Sequence, residues 1–518
     1  MSSSRSANRH MRGDSEGRLK SLRPGPRSVL VRVHPEYASS YAGQHLLQMT
    51  VNLLARQFEV VHDLILDVPD VPVLENIFPE SITDSLGLCS RLLSLARDVA
   101  GPEIRVLSVS ESQDTKPSCV VYVGSFDPST SAVFCISAVA EGWRFDCATN
   151  RHTQAIPGLN SNPIGPYMAA CFAAGSTFKY FWQLDAQIDL SASLWGCGQG
   201  DWNHLAVGKN PTGKTIPKTY LIGCGAVGAA FAFTLAAITN LKGDIIAIDP
   251  QKCDVTNRNR LLSMSYNDAE DKAVLVRQLF TGRTLKVHPY VGPWPDYTAD
   301  ATRKVPDYIR EAEQSYRYET VLSCVDRNHH RRAIAAYLPQ IAIGGSTEDF
   351  AAQVAIYSMR GECECLACNH PVPRIAPTEE LRQFLVSMNT EQLDTWFDNH
   401  DADSRERAAI AEYLRDPSCG GVGQATLAKL GRDGEIDWSV GFVSVAAGVL
   451  LASVFIQTVL EGVGKIVQHG SECHAWFLKP LLGRSFAIRK PVCDVCGSEN
   501  NQDIYNRLWT TASSTDSH

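Results

Sequence analysis

The chain lacks the excess of basic residues that marks most proteins that bind DNA or RNA. Its 518 residues carry 48 Lys and Arg against 56 Asp and Glu, which gives a formal net charge of -8 at pH 7. A basic face is the usual electrostatic signature of nucleic-acid binding, so the composition argues against a nucleic-acid partner. The acidic balance favours solubility and leaves room for a basic protein partner.

Cysteine is too sparse for a disulfide-stabilised secreted scaffold, with 16 residues in a chain of this length. The first residues also lack the apolar run of a secretory signal peptide. Thiols in a reducing compartment serve metal binding and catalysis more often than cross-linking. We therefore expect a cytoplasmic protein with reduced cysteines.

A long apolar run covers residues 440–460, which is enough to span a bilayer as a helix. The run is interrupted by four polar residues, which are Ser444, Ser453, Gln457 and Thr458. Its small residues suit close packing between helices. We expect a core or subunit-interface helix, and no membrane.

Length and composition predict a multi-domain α/β protein. Residues 1–28 are rich in Ser and Arg and predict a disordered tail, with a transit peptide as the alternative. The predicted parts that follow are an N-terminal α/β domain over 29–195, a nucleotide-binding part over 196–371, a helical insertion over 372–418, the rest of the second α/β domain over 419–500 and a polar tail over 501–518.

A glycine-rich turn lies between a predicted strand and a predicted helix of the second domain. Its sequence is Gly223-Cys224-Gly225-Ala226-Val227-Gly228, and the next predicted strand ends on Asp249. This βαβ order predicts a Rossmann-like, largely parallel sheet. Backbone N–H groups at such a helix start bind phosphate, and an acid at the next strand end accepts hydrogen bonds from a ribose. A plain tight turn is the alternative for the loop alone, but Asp249 favours a nucleotide site.

Cations and amides follow this acid instead of the pattern of a dehydrogenase. Asn257 and Arg260 lie close after it, and Lys272 follows twelve residues later. Several cations beside a nucleotide pocket suit a triphosphate that must be held and neutralised as it departs. Each cation alone could be a solvated surface charge, so the set carries the prediction.

Two Cys-x-x-Cys pairs predict a structural zinc site. They are Cys365 with Cys368 and Cys493 with Cys496, and Cys363 lies two residues before the first pair. Zn²⁺ binds four thiolates in a tetrahedral structural site, and each short pair supplies two of them. Cys363 is expected to be a bystander.

Six features resemble one superfamily by their type and their order along the chain. They are the glycine loop, the acid, the Asn-x-x-Arg segment, the lysine, Asp326 at the end of ETVLSCVD and the two cysteine pairs. The superfamily is that of the ubiquitin-activating enzymes, with the ThiF, MoeB and HesA adenylyltransferases. The resemblance covers residues 217–500, and the helical insertion departs from it. It implies an ATP-binding adenylation domain that uses Mg²⁺ and carries structural Zn²⁺.

The resemblance also implies a role for each matching residue. Gly223, Gly225 and Gly228 would cradle the nucleotide, and Asp249 would hold the ribose. Arg260 and Lys272 would bind the phosphates, Asn257 would shape the site, and Asp326 would hold Mg²⁺.

Cys419 lies in the small-residue turn Ser418-Cys419-Gly420-Gly421. In similar relatives a cysteine before such a turn is the sulfur acceptor or the thioester nucleophile. A glycine-flanked thiol is accessible, and access together with thiolate character sets reactivity. We expect Cys419 to be the nucleophile, with plain packing of the turn as the alternative.

The N-terminal region shows no glycine loop, and it resembles an inactive adenylation half. A similar arrangement occurs in the long bacterial members found beside ubiquitin-like proteins in antiphage operons. The expected partners are a ubiquitin-like protein with a C-terminal Gly, a conjugating-enzyme-like protein and a second copy of the chain. The alternatives are a sulfur-carrier adenylyltransferase of the thiamine or molybdopterin type and an inactive scaffold with the same fold.

Overall fold

The structure, a computed structural model, describes most of the chain in sixteen stretches. These are residues 11–12, 22–58, 60–78, 86–112, 115–124, 133–149, 151, 160–303, 317–360, 363–370, 377–399, 402, 404–415, 437–438, 440–490 and 492–510. All structural statements below concern these residues.

The N-terminal half is built on an eight-stranded sheet with the order β4-β3-β2-β5-β6-β7-β8-β9. The strands β2 to β6 run parallel, and the last three are added antiparallel. Their bounds are β2 Ser28–Val33, β3 Asp63–Asp67, β4 Arg105–Ser108, β5 Cys119–Val123, β6 Phe134–Glu141, β7 Arg144–Thr149, β8 Asp189–Ser193 and β9 Gly198–Gln199. A two-residue strand, β1 Met11–Arg12, pairs with β16 Asp437–Trp438.

Four helices belong to this half, namely α1 Pro35–Ala38, α2 Tyr41–Leu54, α3 Leu88–Ala100 and α4 Ile164–Phe181. Helix α2 begins where the Ser40 side chain accepts a hydrogen bond from the Gly43 N–H, as a helix N-cap should. Helix α4 is rich in small and aromatic residues and is buried on almost every side.

The second half repeats the same strand plan, with the order β12-β11-β10-β13-β14-β15-β17-β18. Again the first five strands are parallel and the last three antiparallel. Their bounds are β10 Thr219–Ile222, β11 Gly243–Ile248, β12 Leu285–Tyr290, β13 Thr320–Ser323, β14 Ile341–Glu348, β15 Ala351–Tyr357, β17 Glu472–Trp476 and β18 Leu481–Ser485. The two mixed, parallel-rich sheets confirm the predicted α/β class.

The helices of the second half lie mainly on the faces of this sheet. They are α5 Ala226–Ala236, α6 Lys272–Gln278, α7 Trp294–Arg303, α8 Asn328–Ala335, α12 Gly441–Glu461, α13 Val463–Val467 and α14 Glu499–Thr510. Three more helices form the predicted insertion, α9 Pro377–Val386, α10 Thr390–Asn399 and α11 Ser404–Arg415. The insertion has a small core of its own around Leu385, Phe397 and Ile410.

One hydrophobic core runs through both halves. Helix α12 packs on α5 of its own half and on α4 of the other. The ring of Phe172 stacks on that of Phe477 with centroids 4.6 Å apart, and Lys179 Nζ donates to the Phe477 carbonyl at 2.7 Å. Gly448 permits the close approach of α12 to α5, because a Cβ there would lie 2.5 Å from the Ala230 Cβ. By length and composition α12 could cross a membrane, yet 83% of its apolar window is buried inside the protein, as expected for a core helix.

The tail predicted for residues 501–518 is wrong over its first ten residues. Helix α14 continues to Thr510, and Tyr505 and Trp509 are buried against the start of β14. The Tyr505 hydroxyl donates to the Gln340 carbonyl at 2.9 Å, and Trp509 Nε1 donates to the Leu338 carbonyl at 2.9 Å. The polar composition concealed an amphipathic helix, because two aromatic side chains spaced by four residues are enough to dock it.

The predicted tail 1–28 also ends earlier than expected. Leu22 packs into the core, and the Arg23 guanidinium lies 4.0 Å from the centroid of the Tyr180 ring.

Candidate nucleotide and zinc sites

The glycine loop connects β10 to α5 at the carboxyl end of the sheet. Gly223 has φ +93, and a Cβ there would lie 2.7 Å from the Cys324 carbonyl oxygen. A Cβ on Gly228 would lie 2.0 Å from the Gly223 carbonyl oxygen, so only glycine fits. A Cβ on Gly225 would meet nothing within 4 Å. The loop is therefore packed tightly on the protein side and open at the start of α5, where a phosphate can approach backbone N–H groups.

Asp249 lies directly after β11 with its side chain almost fully buried, at 5% exposure. Its two carboxylate oxygens accept hydrogen bonds from the backbone N–H of Cys224 at 2.7 Å and of Gln251 at 2.8 Å. Burial raises the pKa of Asp249 and the nearby charge of Asp326 adds to the rise, whereas the two hydrogen bonds and the Lys272 charge oppose it. The carboxylate thus ties the glycine loop to the end of the neighbouring strand.

We define the phosphate arm as residues 254–266, which follow β11 and carry Asn257 and Arg260. The arm starts with a short 3-10 helix, Val255–Asn257, capped by the Asp254 side chain. Asn257 is buried, and its side-chain oxygen accepts a hydrogen bond from the Asp254 N–H at 3.2 Å. The Arg260 guanidinium donates to the Thr256 carbonyl at 2.7 Å, which holds it along the arm.

Lys272 is the first residue of α6, and its side chain is buried. Its Nζ donates to Gln251 Oε1 at 2.7 Å, and its backbone N–H donates to the Gln251 carbonyl at 3.0 Å. Gln251 therefore joins Lys272 to Asp249, a role that sequence reasoning missed. The available signal was its position, two residues beyond the strand-end acid.

Asp326 lies in the connection between β13 and α8, three residues beyond the strand end at Ser323. Its side chain is exposed, and its charge acts on Asp249. An exposed carboxylate oxygen is a donor of the kind that Mg²⁺ prefers. The structure thus places the predicted ribose, phosphate and magnesium residues along one edge of the sheet.

The four cysteines of the two pairs lie close together in the structure. In the sequence, 124 residues separate Cys368 of the first pair from Cys493 of the second. Neighbouring sulfurs lie 3.8 Å apart for Cys365 and Cys368, 3.7 Å for Cys365 and Cys493, and 3.4 Å for Cys368 and Cys496. A tetrahedral zinc with Zn–S bonds of about 2.3 Å requires sulfurs about 3.8 Å apart. The donor set and its spacing therefore fit Zn²⁺.

Helix α8 links the cysteine cluster to the loop that carries Asp326. The Arg332 side chain pairs with Asp494, between the second two cysteines, and donates to the His370 carbonyl, just after the first two. Next to it, Arg331 Nε donates to the Val325 carbonyl at 3.1 Å, immediately before Asp326. Helix α8 therefore contacts both the cysteine cluster and the loop that carries Asp326.

Cys419, the predicted nucleophile, lies outside the described residues. The described chain resumes after it at β16 and at α12, whose first residue, Gly441, is packed against the phosphate arm. A Cβ on Gly441 would lie 2.2 Å from the Asn259 carbonyl oxygen. The described chain therefore resumes, at the start of α12, beside the phosphate arm.

Comparison with protein families gives two matches along the chain. Residues 215–496 match the model described as ThiF family, and residues 28–188 match the model described as BilD N-terminal domain. The first match covers more than half of the chain and includes both candidate sites.

A curated relative is the uncharacterized protein y4jF of Sinorhizobium fredii (strain NBRC 101917 / NGR234). It is 24% identical over 351 residues, which cover 66% of this chain and 60% of the relative. The chain therefore spans about 60% of the length of this relative.

Solved structures of E. coli MccB with SeMet MccA, and of the microcin C7 biosynthetic enzyme MccB with N-formylated MccA, are also similar. The identities are 18% and 19%, over 54% of this chain and 66% and 67% of those chains, and both TM-scores are 0.35. We draw no conclusion from structural similarity at this level.

Proposed function

Because the chain belongs to the ThiF family, whose model covers residues 215–496, we propose that it is an ATP-dependent adenylyltransferase. The observation that carries the proposal is the open space at Gly225, with Asp249 and Lys272 near the same loop. The loop offers backbone N–H groups, the acid offers a ribose contact, and the cations offer charge to the phosphates.

We further propose that the acceptor is the C-terminal Gly carboxylate of a ubiquitin-like protein. A carboxylate oxygen of the acceptor attacks the α-phosphorus of ATP, and the bond from that phosphorus to the bridging oxygen breaks. Pyrophosphate leaves and an acyl-adenylate forms. Arg260 and Lys272 stabilise the negative charge that develops on the leaving pyrophosphate, while Asn257 shapes the phosphate pocket.

Asp326 would hold Mg²⁺ at the exposed end of the β13–α8 connection. When bound there, the metal would neutralise phosphate charge. The carboxylate of Asp249 would accept hydrogen bonds from the ribose on the opposite side of the glycine loop. The ribose end and the phosphate end of the nucleotide would then be held by different groups.

The second proposed step uses Cys419. Its thiol loses a proton and attacks the acyl carbon, the bond from that carbon to the phosphate oxygen breaks, and AMP leaves as a thioester forms. The acyl group then passes to the cysteine of a conjugating-enzyme-like protein. Gly441, 22 residues after Cys419, lies against Asn259 of the phosphate arm, and this proximity supports the step.

Exchange of labelled pyrophosphate into ATP, with a candidate carrier protein present, tests the first step. Asp326→Ala should slow exchange by about 10²- to 10³-fold, because it removes one electrostatic contact to the reacting phosphates. Asp300→Ala is the matched control, since this acid on α7 pairs with Tyr290 instead. Undiminished exchange in Asp326→Ala would remove this residue from the site, and no exchange in the wild type would favour the inactive scaffold.

Cys419→Ala separates the two enzyme classes that remain. It should preserve pyrophosphate exchange and abolish any reducible adduct between enzyme and carrier on a non-reducing gel. An adduct that survives this change would transfer the thioester role to another cysteine. Exchange with no adduct in the wild type would indicate a carrier adenylyltransferase that does not take the acyl group. The predicted homodimer and cytoplasmic location stay predictions.

A further inference from the structure

Arg56 connects the N-terminal half to the phosphate arm of the other half. It follows α2 and is 2% exposed. Its Nε donates to Asn52 Oδ1 at 2.8 Å, in the last turn of α2. Its two terminal nitrogens donate to backbone carbonyls 202 to 208 residues away, at 2.7 Å to Arg258, 2.8 Å to Met264 and 3.4 Å to Leu262. These three carbonyls lie around Arg260 and just beyond Asn257.

A buried guanidinium requires acceptors that offset its loss of hydration. Here the offset comes from the arm's carbonyl oxygens and from the charges of Asp98 and Asp268. Burial lowers the pKa of Arg56 to about 9, so the side chain stays charged at neutral pH. An apolar residue would fill this space without that cost, so the arginine is explained by the carbonyls it binds.

A second set of contacts holds the far end of the arm to the same half. Ser265 Oγ donates to Asp98 Oδ2 at 2.5 Å, and the Tyr266 N–H donates to the Asp98 carbonyl at 3.0 Å. The Tyr266 hydroxyl donates to Glu103 Oε1 at 3.1 Å, and its ring covers Gly101, where a Cβ would lie 2.5 Å from ring atoms. Residues 258–266 are therefore held from α2 at one end and from the end of α3 at the other.

The arm itself has little regular structure with which to hold its shape. Its single 3-10 helix covers Val255–Asn257, and turns follow. Turns fix a backbone less firmly than a ladder of sheet hydrogen bonds, so external contacts determine where Asn257 and Arg260 lie. The contacts described above come from the half that has no glycine loop.

We propose that Arg56 is a positioning residue that fixes the phosphate arm for binding of the β- and γ-phosphates of ATP. The inference rests on the proposed function, because it assigns the arm to the triphosphate of that reaction. Its consequence is a division of labour in nucleotide binding. The glycine loop and Asp249 hold the AMP portion, and Arg56 of the other half determines how well the remaining phosphates are held.

Titration of the full-length protein with magnesium ATP, and separately with AMP, tests this division. Arg56→Met should weaken ATP binding by about 10- to 100-fold, because an arm that is no longer fixed loses a hydrogen bond to the charged phosphates. AMP binding should change less than about twofold, since Arg56 has no contact with the glycine loop or Asp249. Arg56→Lys keeps the charge but cannot reach three carbonyls, so its ATP affinity should lie between those of the wild type and Arg56→Met.

Arg23→Met is the matched control, because Arg23 is an arginine of the same half that packs on Tyr180 and donates to its carbonyl at 3.3 Å. It should leave both affinities unchanged. If Arg56→Met does not fold, the double variant Ser265→Ala with Tyr266→Phe loosens the same arm from α3 and should show a smaller loss of the same kind.

Three outcomes would contradict the proposal or its premise. Unchanged ATP affinity in a folded Arg56→Met protein would overturn the inference and leave the proposed function intact. Equal losses for ATP and AMP would assign Arg56 a general structural role instead. A wild-type protein that binds neither nucleotide would overturn the proposed function itself, before Arg56 is changed.

Discussion

The two halves of the molecule share one strand order but differ at the connection after the first strand of the plan. In the second half the connection from β10 to α5 is three residues long and contains Gly223 and Gly225. In the N-terminal half the connection from β2 to α2 is seven residues long and contains α1. There the Tyr37 ring is buried against Gly124, where a Cβ would lie 2.8 Å from a ring carbon. The connection in the second half leaves open space at Gly225, whereas the connection in the N-terminal half brings the Tyr37 side chain to a strand end.

The strand-end acids of the two halves differ in the same way. Asp249 is buried and is held by backbone N–H groups of the glycine loop. Its counterpart, Asp67 at the end of β3, is paired with Arg32 at the surface, with side chains 38% and 44% exposed. The comparison shows that the α/β plan alone does not make a nucleotide site. The connections at the carboxyl ends of the strands decide it.

The largest difference that we expect between the two halves comes from the cysteine cluster, which lies in the second half. Cys493→Ser should abolish the predicted zinc binding and unfold the second half, since structural zinc in small model domains contributes about 10 kcal/mol or more. Elemental analysis and a thermal unfolding curve measure the two effects. Cys363→Ser is the matched control, because this cysteine lies outside the cluster of four. A folded Cys493→Ser protein without metal would show that the second half does not need zinc in order to fold.

The two strand-end acids provide the next largest contrast. Asp249→Ala should weaken nucleotide binding by about 10²-fold or more, because it removes the carboxylate that holds the glycine loop and that is predicted to bind the ribose. Asp67→Ala should leave nucleotide binding unchanged and cost less than about 1 kcal/mol of stability, as exposed ion pairs do. Titration with ATP and chemical denaturation give the two numbers. Equal effects of the two substitutions would mean that the halves are not specialised as described.

Acid should reveal a smaller difference, between α2 and its counterpart α5. His45 on α2 is fully buried, whereas α5 carries no histidine. Burial lowers the pKa of His45 to about 3. In the unfolded chain the ring takes up a proton near pH 6.5, so its contribution to stability is complete above that pH and is lost as the pH falls toward 3.

At pH 5 the loss should be about 2 kcal/mol relative to pH 7. His45→Gln removes the titrating group, so the free energy of unfolding should depend less on pH by about that amount. Denaturant titrations of the wild type and the variant at both pH values measure it. An unchanged pH dependence in the variant would place the acid sensitivity elsewhere.

The sequence predicted the features that depend on local spacing. The glycine loop could be predicted because Gly228 must be glycine to avoid the carbonyl oxygen of Gly223 five residues before it, and because Gly223 has a positive φ that favours glycine. The zinc pairs are legible because each pair lies within four residues, so only the meeting of the two pairs required the fold. Membership of the ThiF superfamily and the α/β class followed from these motifs and were confirmed.

What the sequence could not predict depends on long-range contacts. Arg56 reads as an ordinary arginine at a helix end until its acceptors, more than 200 residues away, are known. The docking of Trp509 likewise depends on the Leu338 carbonyl. The repeated strand plan of the N-terminal half was suspected from the resemblance alone, because the motif that normally reveals it has been replaced by the segment around Tyr37. The catalytic assignment of Cys419 and the roles of the nucleotide residues stay predictions.

Helix α12 has a consequence for the order in which the chain is made. The aromatic face of α4 is complete once residue 181 has left the ribosome, but its partners Phe442 and Phe477 are synthesised about 260 and about 300 residues later. At roughly 5–20 residues per second, that interval lasts some tens of seconds. During this interval the N-terminal half exposes the surface that α12 later covers, and the sheet of the second half still lacks β17 and β18 at one edge. A chain whose translation is arrested before residue 441 should therefore expose apolar surface and aggregate. Binding of chaperones to the nascent chain should be greatest during this interval.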